Sequence, residues 1–263
     1  MQADYHVHTQ FSDDSTMPME EAVLQAMAMG LDEICFTEHI DYGVKTDLNC
    51  NCDKYFRELK RCRDMWGDKL KIRSGMEFGM QVHTIGLFQE TFDRYPFDFI
   101  ILSCHEVEDL EFWNYEFQQG RSQDEYNRRY YEEILNVVKK YNDYSVLGHL
   151  DMIRRYDRNG DYPFEKIRDV VEEILRQVID KGKGIEVNTS CFRYRLSDLT
   201  PGKEILKLYR QMGGEIITIG SDAHTPKWIG WESAGVQEEL REMGFSGLYT
   251  FENMKPVRHE LAG

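Results

Sequence analysis

The sequence predicts an α/β fold on a mostly parallel sheet, open or closed into a barrel, and three observations predict it. Short apolar runs rich in branched and aromatic residues recur seven times between Ala3 and Gly220. Most of them are followed by a longer stretch with helical periodicity, and strands alternating with helices build parallel sheets. A chain of 263 residues with 41% hydrophobic content also fills a sizeable core, which sets aside a disordered, fibrous or disulfide-only molecule.

The elements follow in order. Ala3 to Val7 is the first strand. Pro18 with the acidic pair Glu20 and Glu21 suits a helix first turn, Met19 to Ala26 carries the helix, and Gly30 stops it. Ile34 to Thr37, Lys71 to Ser74 and Phe97 to Ser103 are the next three strands. Gln123 to Asn142 places Tyr126, Tyr130, Ile134, Val137 and Val138 on one helical face. Ser145 to Gly148 is the fifth strand, and Phe164 to Lys181 is a helix with Ile167, Val170, Val171, Ile174 and Val178 on its apolar side. Gly184 to Asn188 and Glu215 to Gly220 complete the strands, with a helix opened by Pro201-Gly202 between them. No linker, internal repeat or low-complexity tract interrupts the pattern, so a single domain over 1–263 is expected. The acidic and aromatic segment Glu106 to Gly120 follows a strand and suits a loop over a pocket.

Charge bounds the partners. With 32 Lys+Arg against 47 Asp+Glu, the formal net charge is -15, which opposes nucleic acid along the surface. A small phosphate remains acceptable if a few arginines or metal ions reverse the field locally. The six cysteines include no C-x-x-C pair; Cys35 and Cys104 sit in apolar runs and read as buried free thiols, while Cys50-Asn51-Cys52 is a weak metal or redox signal. There is no charged-then-apolar leader, and no apolar run approaches the roughly 20 residues that cross a bilayer. A soluble, cytoplasmic protein with no membrane partner is expected.

The informative observation is where the metal-capable residues fall. The strand runs end in His6-Val7-His8, Thr37-Glu38-His39, Ser74-Gly75-Met76-Glu77, Ser103-Cys104-His105, Gly148-His149 and Ser221-Asp222-Ala223-His224. Residues two apart on a strand share a face, so His6 with His8, and Asp222 with His224, can grip one ion. Six of the eight histidines lie at such ends, where parallel barrels build their sites. Nitrogen and carboxylate ligands without thiolates suit an open hydrolytic centre of zinc, iron or manganese. Spacing alone leaves Asp13 and Asp14 undecided.

The ordered motifs H-x-H, F-S-x-D, T-E-H, G-x-E, S-x-H, G-H-x-D and G-S-D-A-H, running from His6 to His224, resemble the polymerase and histidinol phosphatase (PHP) family. Within it the chain is most similar to the monofunctional histidinol-phosphatase branch, through Leu147 to Tyr156 and Glu186 to Tyr194. The resemblance implies a distorted (β/α)7 TIM-like barrel with a metal site at the C-terminal strand ends. It implies hydrolysis of L-histidinol phosphate, a small-molecule phosphate ester, in histidine biosynthesis. It also implies three divalent ions: one on His6, His8, Glu77 and Asp222, one sharing Glu77 with His105 and His149, and one on Asp14, His39 and His224. Many relatives have histidine where this chain has Asp14.

Paired ions make a nucleophilic hydroxide at neutral pH and neutralise phosphoryl charge, so a hydroxide bridging the first two ions is expected to attack phosphorus in line. Glu77, Asp14 and His39 are the candidate catalytic residues, the latter two as acids only if not fully engaged as ligands. Phosphate also favours the guanidinium fork. Among Arg154, Arg155, Arg158, Arg193 and Arg195, the expected substrate contacts are Arg155 and Arg193, with the resemblance favouring Arg193. Alternatives are another phosphoesterase of the family, an amidohydrolase, disfavoured because His105 stands where that class usually has a lysine, and a non-catalytic metal-binding module. Asp157 to Glu165 has its Gly too early for a calcium loop and reads as a turn. His83 and His259 lie outside the pattern.

Overall fold

In a computed structural model describing residues 1–261, strands and helices alternate as the apolar runs predict; Ala262 and Gly263, the end of the predicted domain, lie outside the described residues. The order is β1 (Ala3–Val7), α1 (Met19–Ala28), β2 (Glu33–Asp41), α2 (Cys52–Trp66), β3 (Lys71–Gly79), α3 (Ile85–Arg94), β4 (Phe99–Ser103), the short pair β5 (Glu106–Val107) and β6 (Leu110–Glu111), then α4 (Gln123–Lys140). It continues with β7 (Val146–Leu147), α5 (Arg168–Asp180), β8 (Gly184–Asn188), α6 (Ser190–Tyr194), α7 (Lys203–Gln211), β9 (Ile217–Gly220), α8 (Ser233–Glu242) and the hairpin β10 (Gly247–Glu252) and β11 (Lys255–Glu260).

Seven parallel strands form one sheet in the order β1-β2-β3-β4-β7-β8-β9. The sheet curls until its edges meet: Val7 bridges Ala223, and the His8 N–H donates to the Ala223 carbonyl at 2.9 Å. Of the two sheet forms left open by the sequence, the closed barrel is the one adopted. Strands covered on both faces read as continuous apolar runs, which is why β4 and β8 were legible and are buried throughout. Helix α4 starts at a Ser122–Glu125 capping box, ends with Lys139 and Lys140 in its last turn, and buries the predicted face from Tyr126 to Val138.

Two strands outrun their apolar signal. β2 continues to Asp41 and β3 to Gly79, their residues paired one for one from Glu33–Lys71 to Asp41–Gly79. Thr37, Glu38 and His39 end the hydrophobic pattern, but backbone pairing does not depend on side-chain polarity. The stretch from Phe164 to Lys181 is a 3-10 turn at Phe164–Lys166 followed by α5, not one helix.

The N-terminal end of the barrel is plugged. Tyr5, Cys35, Phe99, Ile101, Val146 and Phe251 form a separate apolar cluster under the β10–β11 hairpin, pinned by the Phe251 N–H to the Tyr5 hydroxyl at 2.8 Å. That leaves the C-terminal mouth as the accessible end. All six cysteines are free and buried, as read for Cys35 and Cys104.

Candidate metal centre

All nine residues singled out as ligands converge inside that mouth. Glu77 is at the centre, fully buried, and its two oxygens face different partners. Oε2 lies 3.1 Å from His6 Nε2, 3.5 Å from His8 Nε2 and 3.1 Å from His39 Nδ1. Oε1 lies 2.8 Å from His149 Nε2 and 3.2 Å from His105 Nε2. Asp222 Oδ1 closes the first group, 3.9 Å from His6 Nε2 and 3.6 Å from His8 Nε2. Asp14 Oδ2 bridges His39 Nε2 at 3.6 Å and His224 Nε2 at 3.1 Å.

The backbone is bent to make this possible. A regular strand sends consecutive residues to opposite faces. The register of β1 shifts between Asp4 and Val7, so Tyr5 reaches the lower cluster, 4.9 Å from Phe99 between ring centres, while the adjacent His6 reaches Glu77. Gly79 and Gly220 provide clearance. A Cβ on Gly79 would collide with the Asp41 carboxylate and the His105 ring, and one on Gly220 with His6 and Glu186. Asp222 takes φ 55°, a left-handed conformation that aspartate tolerates, and Asp4 steadies the turn by accepting the Ser221 N–H at 2.9 Å.

A second layer orients the rings. His6 Nδ1 is 2.5 Å from Glu186 Oε1, His8 Nδ1 is 3.1 Å from Ser12 Oγ, itself hydrogen-bonded to Glu38, and His105 Nδ1 is 2.7 Å from Asp41 Oδ1. With the outer nitrogen of each ring occupied, the inner one presents its lone pair. Sequence reasoning did not single out Glu186, Glu38 or Asp41. The period-2 rule was the available signal, since Asp41 lies two residues beyond His39.

The donor set fits divalent metal. His6 Nε2, His8 Nε2, His39 Nδ1, His224 Nε2 and Glu77 Oε2 are buried with no hydrogen-bond partner. Five orphaned polar atoms in one place are costly unless something electrophilic is shared among them. Two ligands each about 2.1 Å from one ion in a tetrahedral shell stand about 3.4 Å apart, the spacing found around Glu77. Ligand atoms lie within 4.8 Å of one another in the groups His6/His8/Glu77, His39/Glu77/His105, His6/His149/Asp222 and His8/His39/His224. They bring His6, His8 and Glu77 together and set His39 beside Glu77 as well as near Asp14. Burial disfavours ionisation throughout, yet His6, His105 and His39 around Glu77 outweigh it and hold this carboxyl well below its usual range. Burial, with the His39, His224 and His6 rings crowded around it, pushes the His8 pKa well below its ordinary value.

The PHP domain pattern matches residues 4–190, most of the chain. The chain belongs to the PHP family. It is 36% identical to a histidinol-phosphatase of Lactococcus lactis over 258 residues, covering 96% of this chain and 95% of that one. It is 31% identical to a probable histidinol-phosphatase of Clostridium acetobutylicum, covering 86% and 88%. Its fold superposes on the crystal structure of the Lactococcus lactis histidinol phosphate phosphatase complexed with zinc, L-histidinol and phosphate, with a TM-score of 0.88 at 35% identity, covering 97% of this chain and 98% of that one.

Above the ligands this PHP barrel opens into a pocket. Its floor is Asp14, His39, Glu77, His105, His149, Asp222 and His224, and its walls include Lys45, Glu106, Glu111, Phe112, Trp113, Arg155, Tyr156 and Tyr194. The segment from Glu106 to Gly120 begins as the β5–β6 pair and gives Glu106, Glu111, Phe112 and Trp113 to the pocket lining. Arg155 is the arginine at the wall, with Nη2 3.2 Å from Asp222 Oδ2 and 2.6 Å from Ser190 Oγ. Arg193 donates to the Asp222 carbonyl at 3.0 Å. Arg154 turns away to Asp151, and Arg158 lies over the Tyr115 ring. Asp157 accepts from the Tyr126 hydroxyl and the Asn159 N–H, consistent with a turn. No helix among the described residues is long and apolar enough to cross a membrane.

Proposed function

We propose that this chain, read as one PHP-type barrel domain over 1–263, hydrolyses L-histidinol phosphate to L-histidinol and phosphate with three divalent ions. His6, His8, Glu77 and Asp222 hold one, Glu77, His105 and His149 the second, and Asp14, His39 and His224 the third. The observation that carries the reading is the divided Glu77 carboxylate, one oxygen among His6 and His8 and the other beside His105 and His149. Bound ions of this kind supply an activated water at neutral pH and cancel phosphoryl charge.

The chain's own groups do the rest. Arg155, at the pocket wall beside the Asp222 carboxylate, is the guanidinium that meets phosphate, and Arg193 holds the backbone carbonyl of the same Asp222. Asp14 and His39 complete the catalytic set on the pocket side of Glu77. The leaving alcohol is cationic, and the wall opposite the arginine carries acids. Glu106 is spent on the Val44 N–H and the Gln81 amide, whereas Glu111 accepts only from Asn114. Glu111 therefore has fewer hydrogen-bond partners than Glu106 and, with Lys45 as the cation already facing it, is the acid assigned to the ammonium group.

The test is a hydrolysis assay on metal-replete protein, with histidinol phosphate beside 4-nitrophenyl phosphate and metal content measured on the same sample. The reading requires a clear preference for histidinol phosphate in kcat/KM and about three ions per chain. Equal turnover of both esters replaces it with a general phosphoesterase, and a metal-loaded but inert protein replaces it with a binding module.

A further inference from the structure

The neighbouring acids Asp13 and Asp14, indistinguishable by spacing, have separate partners. Asp14 faces His39 and His224. Asp13 turns to Lys45, with Oδ2 3.2 Å from Nζ, and both side chains are largely shielded, 15% and 18% exposed. The same ammonium lies 4.0 Å from the centre of the Trp113 ring. Three loops, after β1, after β2 and beyond β6, are thus tied across the pocket mouth through one lysine. Trp113 needs the tie. It is 46% exposed on a loop that bends through left-handed residues at Glu108, Asp109 and Tyr115, and both it and Lys45 line the pocket.

We propose that Asp13, Lys45 and Trp113 form a specificity strap, in which Lys45 is a positioning residue that holds the Trp113 indole as the wall for a planar ring on the leaving alcohol. A cation shared between a carboxylate and an aromatic face fixes the indole plane more firmly than an exposed tryptophan holds itself. The inference rests on the proposed reading in taking a ring-bearing alcohol phosphate as substrate. It assigns Lys45 to substrate fit, acting through Trp113 and not through the phosphate.

Steady-state kinetics and tryptophan quenching test it on the metal-loaded protein. Lys45→Met is expected to raise KM for histidinol phosphate about tenfold with kcat kept within about twofold, and Lys45→Arg to restore most of it. In a Trp113→Ala background, Lys45→Met is expected to add less than about twofold. The emission difference between the protein and Trp113→Phe reports Trp113 alone, and its quenching by acrylamide is expected to increase in both Lys45→Met and Asp13→Asn. Unchanged quenching overturns the strap. So does a full additional loss in the Trp113→Ala background, which makes Lys45 a direct substrate contact. Failure of the parent protein to turn over histidinol phosphate overturns the proposed substrate instead, while quenching still reads the strap.

Discussion

Glu186→Gln tests the ring-orienting layer where the consequence is sharpest. Glu186 is 1% exposed; Oε1 sits 2.5 Å from His6 Nδ1, and Oε2 accepts the His149 N–H at 2.8 Å and the Asn188 amide at 3.2 Å. Burial works against charge on His6, but Glu186, Glu77 and Asp222 outweigh it and hold its pKa well above the ordinary value. Glutamine keeps the shape and one acceptor oxygen while removing the charge. A hydrogen bond to a charged acceptor contributes about 1.5–3 kcal/mol and one to a neutral acceptor about 0.5–1.5 kcal/mol, so about 1–1.5 kcal/mol of support for the Nε2 lone pair is lost. At about 1.4 kcal/mol per decade this weakens binding at His6 roughly tenfold, at the lower end of the 10–100-fold loss typical of such partners. The assay is a competition titration of the metal-free variant against a chromophoric chelator, with far-UV circular dichroism to confirm folding. Affinity within twofold of the parent refutes the argument that Glu186 governs the His6 lone pair.

Glu77→Gln is expected to leave the fold intact by circular dichroism, reduce bound metal, and lower kcat by about a thousandfold or more, some 4 kcal/mol, because both groups of ligands share this carboxylate. Arg155→Lys keeps the charge but loses the planar fork; kcat/KM for phosphate esters is expected to fall about 10–100-fold, measured by steady-state kinetics. Asp98→Asn tests the plugged end of the barrel. Asp98 takes the Ser74 and Asn253 N–H groups and Arg63, and although burial opposes it, these hold its pKa below the ordinary value. A depressed folded pKa stabilises the fold above the unfolded value near 4, and that contribution is lost as pH falls through the folded value. Urea unfolding is therefore expected to show the variant about 2–3 kcal/mol less stable at pH 7, with the gap narrowing below about pH 4.

The barrel was legible because its strands are covered on both sides and β4 and β8 carry unbroken apolar runs. The cluster of candidate ligands was legible because histidine and carboxylate recur where those runs stop. Closure came from the family resemblance and not from the residue pattern, since the bridge from Val7 to Ala223 depends on curvature accumulated over seven strands and on no local pattern. The shift in β1 was equally hidden: Tyr5 and His6 look like opposite-facing neighbours until their contacts are known. Glu186 was passed over because a single acid in an apolar strand carries no spacing signal of its own, whereas Asp41 had only its place two residues beyond His39 to mark it. The resemblance favours Arg193, and the pocket wall holds Arg155, with both guanidinium groups on Asp222. Asp13 and Asp14 separate only when Lys45 and His224 are seen beside them.

Where the ring joins has a kinetic meaning. Ligands from the first strand and from the turn after the last meet across a seam whose flanking hydrogen bond, from the Ser221 N–H to Asp4, spans 217 positions in sequence. Contacts so distant form late, because the intervening chain must already be arranged. Divalent ions gripping both His6 and Asp222 would act as a clasp on that late joint, adding stability that rises with the logarithm of their concentration over their dissociation constant. A fragment cut at residue 190, where the family pattern stops, would keep five of the six histidines at the centre and lack the strand that closes the circle.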